Sequence, residues 1–236
     1  MKRIILIVLR LLPVIPVWML VQMPKYRKTE NYSLEDRYAF IQKKIAAILK
    51  KARIEYIISG VENIPLENGY LITPNHQGLV DPLIIATAHK NPLRAIVKIE
   101  LVKIPFVRDI VTILKCLPMD RKDVRGSVKI IREASNSIKT GETFVVFPEG
   151  TRSKNKNQLN EFKGGTYKIV EQAKCGILPV ALIDCYKPFD ENSMKKVLVK
   201  IHFLPFIPYE SIKDMHTNDI AAMVQNQIQE YINDQN

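Results

Sequence analysis

Short apolar runs alternate with segments of helical spacing from about residue 54 onward. Runs rich in Ile, Val, Leu and Phe are typical of buried strands. They predict strands at Ile54–Ser59, Tyr70–Thr73, Arg94–Lys98, Thr143–Phe147, Ile177–Ile183 and Val197–Phe203. Apolar positions three and four residues apart predict helices at Pro82–His89, Val124–Lys139, Lys163–Lys174 and Thr217–Ile232. The pattern indicates an α/β fold, with a mostly buried sheet flanked by helices.

The chain begins with a longer apolar segment, Ile4–Met23, which contains Arg10 and Gln22 and is broken in the middle by two prolines. A straight transmembrane helix needs about 20 apolar residues, so the length would suffice. The internal charge and the prolines argue against an uninterrupted span. A cleaved signal peptide is another alternative because Met1-Lys2-Arg3 resembles its basic start, but no small-residue cleavage site follows. We expect a bent segment that enters one leaflet.

The net charge of +11 is concentrated near the amino terminus. Residues 1–56 hold twelve Lys or Arg and four Asp or Glu. Such a balance indicates an anionic partner, either nucleic acid or a membrane surface, and the adjacent apolar segment favours the membrane. Basic residues flank that segment on both sides, and the positive-inside rule then favours the cytoplasmic face for both ends. We predict no nucleic-acid partner.

A basic amphipathic helix is predicted directly after this segment. Its apolar stripe consists of Ile41, Ile45, Ile48, Leu49 and Ala52. Lysines occupy the other faces, as in helices that lie on an anionic membrane surface. The alternative is a helix whose stripe packs on the protein core and whose basic side is solvated. The predicted organisation is an N-terminal membrane-anchoring helical segment over residues 1–53 and one α/β domain over residues 54–236.

The cysteines and histidines are few and scattered. Three cysteines, at positions 116, 175 and 185, imply no disulfide framework and favour a reducing compartment. Neither the cysteines nor the four histidines have the spacing of a metal site. We expect no metal and no cofactor.

A potential general base and a potential orienting carboxylate lie five residues apart, at His76 and Asp81. On a continuous helix these side chains would point about 140° apart, so they can meet only if the chain folds back. Gly78 permits such a bend. Asp81-Pro82 resembles a helix start, with Asp81 at the cap. Because the predicted strand Tyr70–Thr73 comes just before, His76 is expected at the carboxyl end of a strand.

A second group of candidate residues follows the strand that ends at Phe147. The segment Pro148–Ser153 contains Arg152, and Lys163 comes directly before two glycines that begin a predicted helix. Glycines at a helix start expose backbone N–H groups to an anion, and Arg and Lys supply matching charge. Arg121 lies at the end of another apolar stretch. These residues all fall at strand ends, where open α/β sheets bind their ligands.

This ordered set resembles the 1-acyl-sn-glycerol-3-phosphate acyltransferase family. The family's first block, Asn-His followed after four residues by Asp, matches Asn75, His76 and Asp81. Its third block, Phe-Pro-Glu-Gly-Thr-Arg-Ser, matches Phe147–Ser153 without a mismatch. The second and fourth blocks match more loosely, at Leu117–Arg121 and Ile177–Ala181. The resemblance covers roughly residues 55–210 and rests mainly on the first and third blocks.

The resemblance implies that His76 is the catalytic base and that Asp81 orients it. It assigns the acceptor's phosphate to the third block and to Arg121, while Pro179 helps to shape the cleft. A carboxylate beside a phosphate is unfavourable, so Glu149 is expected to orient an Arg or the acceptor's hydroxyl. Lys163 is added from its own position, and Asn75 is expected to fix the loop. The candidate substrate-binding residues are Asn75, Arg121, Glu149, Gly150, Thr151, Arg152, Lys163 and Pro179.

The resemblance implies an enzyme of phospholipid biosynthesis that makes phosphatidate from lysophosphatidate. The acyl donor is a thioester, either acyl-CoA or acyl carrier protein. One alternative is an acyltransferase of the same superfamily that uses glycerol 3-phosphate, another lysophospholipid or a lyso-aminolipid. A more distant one is a non-catalytic protein that binds anionic lipid. We expect a monotopic or peripheral protein on the cytoplasmic face of a bacterial cell membrane.

Overall fold

A computed structural model describes residues 2–235. Met1, the first residue of the predicted segment 1–53, and Asn236, the last residue of the predicted domain 54–236, lie outside the described residues. Within this range the strands form a seven-stranded sheet in the order β1-β7-β6-β2-β5-β3-β4. The strands are β1 (Ile54–Ser59), β2 (Leu71–Pro74), β3 (Arg94–Lys98), β4 (Leu117–Met119), β5 (Phe144–Val145), β6 (Ile177–Ile183) and β7 (Val197–Phe203). The predicted α/β class is confirmed.

Five of the strands run in one direction and two in the other. Strand β2 is parallel to β5 and β6, and β3 is parallel to β4 and β5. Strands β1 and β7 are parallel to each other, and β7 is antiparallel to β6. The carboxyl ends of β2 to β6 therefore share one edge of the sheet with the amino ends of β1 and β7. We call this the carboxyl edge, and the opposite one the amino edge.

Helices cover both faces of the sheet and bury an apolar core against each. Tyr38, Ile41, Ile84, Ile113 and other residues fill the core of one face, whereas Ala134, Ile169 and Val224 belong to the core of the other. The described helices are α1 (Lys2–Leu11), α2 (Ile15–Val17), α3 (Met23–Arg27), α4 (Leu34–Lys51), α5 (Asp81–Ala88), α6 (Pro105–Ile113), α7 (Val124–Lys139), α8 (Gly164–Ala173), α9 (Lys187–Asp190) and α10 (Thr217–Asp234).

The N-terminal apolar segment is bent rather than straight. A π-helical turn, Trp18–Gln22, joins α2 to α3, and the whole segment Ile15–Arg27 lies at 80° to α1. Among the described residues, no single helix is long and apolar enough to cross a membrane, whereas this bent pair meets the length and composition of a span when taken together. Its exposed apolar side chains are Ile4, Ile5, Val8, Leu9, Leu12, Val14, Val17, Leu20 and Val21.

Arg3 fastens this segment to the rest of the protein. Its buried guanidinium donates hydrogen bonds to four backbone carbonyl groups, which belong to residues far away in the sequence. The acceptors are the carbonyl oxygens of Ala52, Pro188, Ser193 and Lys195. Ala52 and Lys195 lie just before β1 and β7, so α1 is held at the carboxyl edge.

Helix α4 packs its apolar stripe against the protein. Ile41, Ile45, Leu49 and Ala52 are buried in the core, together with Tyr38. The expectation that this stripe contacts lipid is therefore wrong, and the core-packing alternative is confirmed. The helix begins at Leu34, one residue after Ser33, whose hydroxyl accepts the N–H of Asp36 as a side-chain cap. The lysines of α4 remain on its outer side, where Lys43 and Lys50 are exposed and Lys44 is half-buried.

Candidate active site

The loop between β2 and α5 brings His76 and Asp81 together. His76 Nδ1 lies 2.7 Å from Asp81 Oδ2, and the same oxygen accepts the backbone N–H groups of Gln77 at 2.6 Å and Gly78 at 2.9 Å. These hydrogen bonds from backbone N–H groups fold the loop back on itself, as the five-residue spacing between His76 and Asp81 requires. Asp81 is not the helix cap that the sequence indicated: Val80 precedes the first turn, and the fully buried Asp81 carboxylate faces the loop instead.

A close contact with the segment after β6 fixes the same loop from behind. A Cβ atom at Gly78 would lie 2.2 Å from the carbonyl oxygen of Cys185, so only glycine fits. The buried Gln77 side chain accepts the Cys185 N–H at 2.9 Å and donates to Asn157 Oδ1 at 2.8 Å. Gln77 was not predicted as a site residue, and only its position inside the first block could have indicated it.

Asn75 has both ends of its amide bonded to the neighbouring strand. Its Oδ1 accepts the N–H of Leu182 at 2.7 Å, and its Nδ2 donates to the Leu182 carbonyl at 3.0 Å. The side chain is buried. Asn75 therefore ties the loop to β6, which agrees with the expectation that it fixes the loop.

The imidazole of His76 is partly accessible, with 21% of its side chain exposed. Because Nδ1 faces the Asp81 carboxylate, it carries the proton of the neutral ring and Nε2 keeps its lone pair. The Phe147 ring packs against the imidazole at a centroid distance of 4.2 Å. The ring is therefore held by a hydrogen bond on one side and an aromatic contact on another.

Glu149 joins the first block to the third through the backbone. Its Oε1 accepts the N–H of His76 at 2.6 Å, and its Oε2 accepts the N–H of Asn160 at 3.0 Å. The residue is only 2% exposed. Burial raises the pKa of the Glu149 carboxyl, and the hydrogen bonds from the His76 and Asn160 amides oppose that rise. A further hydrogen bond, from the N–H of Ser153 to the carbonyl oxygen of His76 at 2.8 Å, joins the same two segments.

A cavity of about 240 Å³ opens beside this junction, with an apolar floor and a basic rim. Phe147 lines it and also touches His76, so the cavity adjoins the imidazole. Arg121, Lys163 and Gly150 are part of its wall. Gly150 adopts a positive φ of 74°, and the Nζ of Lys163 lies 3.3 Å from the place of a Cβ at that glycine. Its apolar lining includes Ile96, Val97, Met119, Ile131, Val146 and Ile169.

The remaining candidate residues lie apart from this cavity. Arg152 is exposed, and its Nη1 lies 3.7 Å from Oδ1 of Asp190 in α9. Thr151 is exposed beside it. Pro179 is buried within β6, paired with Thr73, so it supports the strand that leads to His76, and it is not among the residues that line the cavity. The structure thus separates two basic residues that were grouped on sequence: Lys163 lines the cavity, whereas Arg152 lies beside α9.

Comparison with known proteins identifies the family of this chain through a range that includes His76, Asp81 and Glu149. Residues 55–183, more than half of the chain, match the family described as Acyltransferase. The chain belongs to the acyltransferase family. The matched range contains the paired His76 and Asp81 and ends with Ile183, the last residue of β6. Among residues 2–235, no group of three or more His, Cys, Asp or Glu side chains is placed to hold a metal ion.

Relatives of this acyltransferase occur in several bacteria. The 1-acyl-sn-glycerol-3-phosphate acyltransferase of Borreliella burgdorferi is 28% identical over 179 residues, which are 75% of this chain and 71% of the relative. The enzyme of the same name from Helicobacter pylori is 32% identical over 125 residues, 53% of each chain. The crystal structure of the LPA acyltransferase PlsC from Thermotoga maritima superimposes with a TM-score of 0.73 at 23% identity, covering 99% of this chain and 98% of that one. The fold is therefore that of the Thermotoga protein over nearly the whole chain.

Proposed function

We propose that this acyltransferase moves a fatty acyl group from a thioester to the free hydroxyl of 1-acylglycerol 3-phosphate and so makes phosphatidate. The observation that carries the proposal is the hydrogen-bonded pair of His76 and Asp81, beside a cavity with a basic rim. The names of the bacterial relatives support the choice of acceptor. Either acyl-CoA or acyl carrier protein serves as donor in this proposal.

In the proposed reaction, the acceptor hydroxyl is the nucleophile. Nε2 of His76 takes the hydroxyl proton while the oxygen attacks the thioester carbonyl and forms the new C–O bond. The C–S bond then breaks, and the imidazolium returns the proton to the departing thiolate. Asp81 holds the ring in the tautomer with Nδ1–H and stabilises the imidazolium. A Ser or Cys nucleophile is not required because no acyl-enzyme forms.

The basic residues of the site fit an acceptor that carries a phosphate. Arg121 and Lys163 line the cavity, and phosphate oxygens accept charge-assisted hydrogen bonds from such groups. Gly150 leaves room for the Lys163 side chain. Arg152 is placed to attract the phosphate from the α9 side, provided that it exchanges its ion pair with Asp190.

The direct test is an acyl-transfer assay on the purified protein. Lysophosphatidate, glycerol 3-phosphate, lysophosphatidylcholine and a lyso-aminolipid would be compared as acceptors at equal concentration. We expect phosphatidate from lysophosphatidate to form faster than any other product. A clear preference for another acceptor would support the acyltransferase reaction but contradict lysophosphatidate as the acceptor.

Replacing Arg152 with alanine should mainly raise the apparent KM for lysophosphatidate. A charge-assisted hydrogen bond contributes about 1.5–3 kcal/mol, so a loss of about tenfold is expected for this exposed side chain. The kcat should change much less, because the phosphate is bound in the ground state as well. Steady-state kinetics with both substrates varied would measure this. Lys154→Ala, an exposed neighbour, is the matched control, and an effect confined to the donor's KM would move Arg152 to the donor site.

We also propose that residues 1–53 form an anchoring region, in which the bent segment Ile4–Met23 enters one leaflet on the cytoplasmic face of a bacterial membrane. The exposed apolar side chains of the bent helices, such as Leu9 and Leu20, support this placement. The buried Met23 and Arg3 show that the same segment also packs on the α/β domain over residues 54–236. The anchor is therefore continuous with the domain and not a separate unit.

The proposed anchor should determine whether salt or detergent extracts the protein from a membrane. Burial of a Leu side chain contributes about 1.5–3 kcal/mol and hardly responds to salt. We expect the protein to resist extraction by high salt and to require detergent. The double replacement Leu9→Ser and Leu20→Ser should make it extractable by salt, whereas Leu66→Ser, which is even more exposed but lies at the amino edge, should not. Release of the unaltered protein by salt alone would rule out insertion.

A further inference from the structure

Two glutamine side chains of α10 hold the irregular stretch of chain that precedes α8. We call residues 157–162 the bridging segment. Gln229 Oε1 accepts the N–H of Leu159 at 3.0 Å, and Gln225 Oε1 accepts the N–H of Phe162 at 2.8 Å. Backbone N–H groups need acceptors outside helices and sheets as well, so these hydrogen bonds fix the path of the bridging segment along α10.

The other side of the bridging segment contacts the groups that hold the His76 loop. The N–H of Asn160 donates to Glu149 Oε2 at 3.0 Å, and the other oxygen of that carboxylate accepts the N–H of His76. Asn157 provides a second connection, because its Oδ1 accepts the side-chain amide of Gln77 at 2.8 Å. The two connections therefore end on adjacent residues of the loop that carries the imidazole.

Helix α10 packs closely on the rest of the domain. A Cβ atom at Gly164, the first residue of α8, would lie 2.0 Å from Asn218 Oδ1, so the amino ends of α8 and α10 are in contact. Helix α10 lies beyond residues 55–183, the range that matches the family, and none of its residues was predicted as a site residue. Its buried side chains are Ile220, Ala221, Val224, Ile228 and Ile232.

We propose that Gln229 is a positioning residue for acyl transfer, which acts on His76 through the bridging segment. The inference rests on the proposed role of His76 as the general base. Gln229 is bonded to both connections: its Oε1 to Leu159, directly before Asn160, and its Nε2 to the carbonyl oxygen of Asn157 at 3.4 Å. Without these bonds, the bridging segment and the loop it holds can shift, and proton transfer requires the base at hydrogen-bond distance from the hydroxyl.

Gln225 is less directly connected to the base. Its partner Phe162 is also held by its own buried ring. The next residue, Lys163, donates its N–H to the carbonyl oxygen of Pro148 at 3.0 Å. This end of the bridging segment therefore has further attachments, whereas Leu159 is only half-buried.

Replacement of Gln229 with leucine in the full chain tests the proposal by steady-state kinetics. Leucine accepts no N–H, so we expect kcat to fall about tenfold with little change in the KM of either substrate. Gln229→Glu keeps an acceptor oxygen for the Leu159 N–H and should restore most of kcat. Gln227→Leu, about 200° around the helix from Gln229, is the matched control and should leave kcat unchanged. A Gln229→Leu protein as active as this control, or no less active than Gln229→Glu, would overturn the proposal.

Hydrogen exchange of the His76 loop gives a readout that needs no substrate. In Gln229→Leu we expect the backbone N–H groups of residues 75–80 to exchange faster, while those of β7 keep their rates. Gln227→Leu should change neither. Exchange that is unchanged at the loop, or faster throughout the protein, would assign Gln229 a role in general stability and contradict the proposal. Because the rates do not depend on the acceptor, this result separates a failure of the inference from a failure of the proposed function.

Discussion

Replacing His76 with alanine should lower the turnover of lysophosphatidate by about 10²–10⁴-fold while leaving the fold intact. The imidazole is 21% exposed and sits at the rim of the site, so its removal leaves no buried cavity. What is lost is the acceptor for the hydroxyl proton in the transition state, and kcat and kcat/KM should therefore fall together. Steady-state kinetics and circular dichroism on the same sample would measure activity and fold.

Two further variants make this result specific. His216→Ala, an exposed histidine before α10, should leave turnover unchanged. Asp81→Asn should also reduce turnover, because an asparagine amide no longer selects the Nδ1–H tautomer of His76. A folded His76→Ala protein with near-normal turnover would eliminate the proposed general base.

Replacing Glu149 with alanine should destabilise the protein and reduce kcat, with little change in the KM for lysophosphatidate. The N–H groups of His76 and Asn160 both lose their acceptor, and each buried group left unpaired costs about 1–3 kcal/mol. The loop that carries the base loses its link to the third block. Chemical denaturation and steady-state kinetics would measure the two effects.

The conservative variant separates positioning from charge. Glu149→Gln retains one acceptor oxygen but turns an NH₂ group toward the other amide, so we expect a smaller loss of both stability and kcat. Glu161→Gln, an exposed carboxylate in the same segment, should have no effect. A Glu149→Gln protein whose main defect is a higher KM for lysophosphatidate would return this residue to the substrate-binding role that the resemblance suggested.

Strongly apolar runs allowed the strands to be predicted well. The bounds of β1, β3, β6 and β7 agree with the predicted ones residue for residue. Strand β5 is shorter than predicted, because after Val145 the chain leaves the ladder for the loop that carries Glu149. Helix α6 was missed. One of its buried positions is Asp109, which pairs with Arg27 at 3.3 Å, and a buried charge interrupts the apolar periodicity on which the prediction depends.

The site was only partly predictable. Local spacing sufficed for His76 and Asp81, since a loop that folds back over five residues is a short-range property. The bond between Glu149 and the His76 amide joins residues 73 positions apart, and no local pattern indicates it. The stripe of α4 was ambiguous for a different reason: the same amphipathic pattern satisfies a protein core or a lipid surface. Only tertiary packing distinguishes the two.

If the proposed anchor enters a membrane, the hydrogen bonds of Arg3 determine how freely the α/β domain moves relative to it. A flexible linker would let a domain tumble and drift above the surface, at a height that grows with linker length. Here the guanidinium bonds α1 to three carbonyl groups of the domain and to the carbonyl group of Ala52, which comes just before β1, so α1 and the domain translate and rotate as one body. With the proposed anchor, a side chain in the first turn of α1 would then set the orientation of His76 relative to the plane of the lipids. The enzyme would then meet a lipid acceptor by diffusion within the plane of the membrane, with its active site already held at a fixed orientation to that plane.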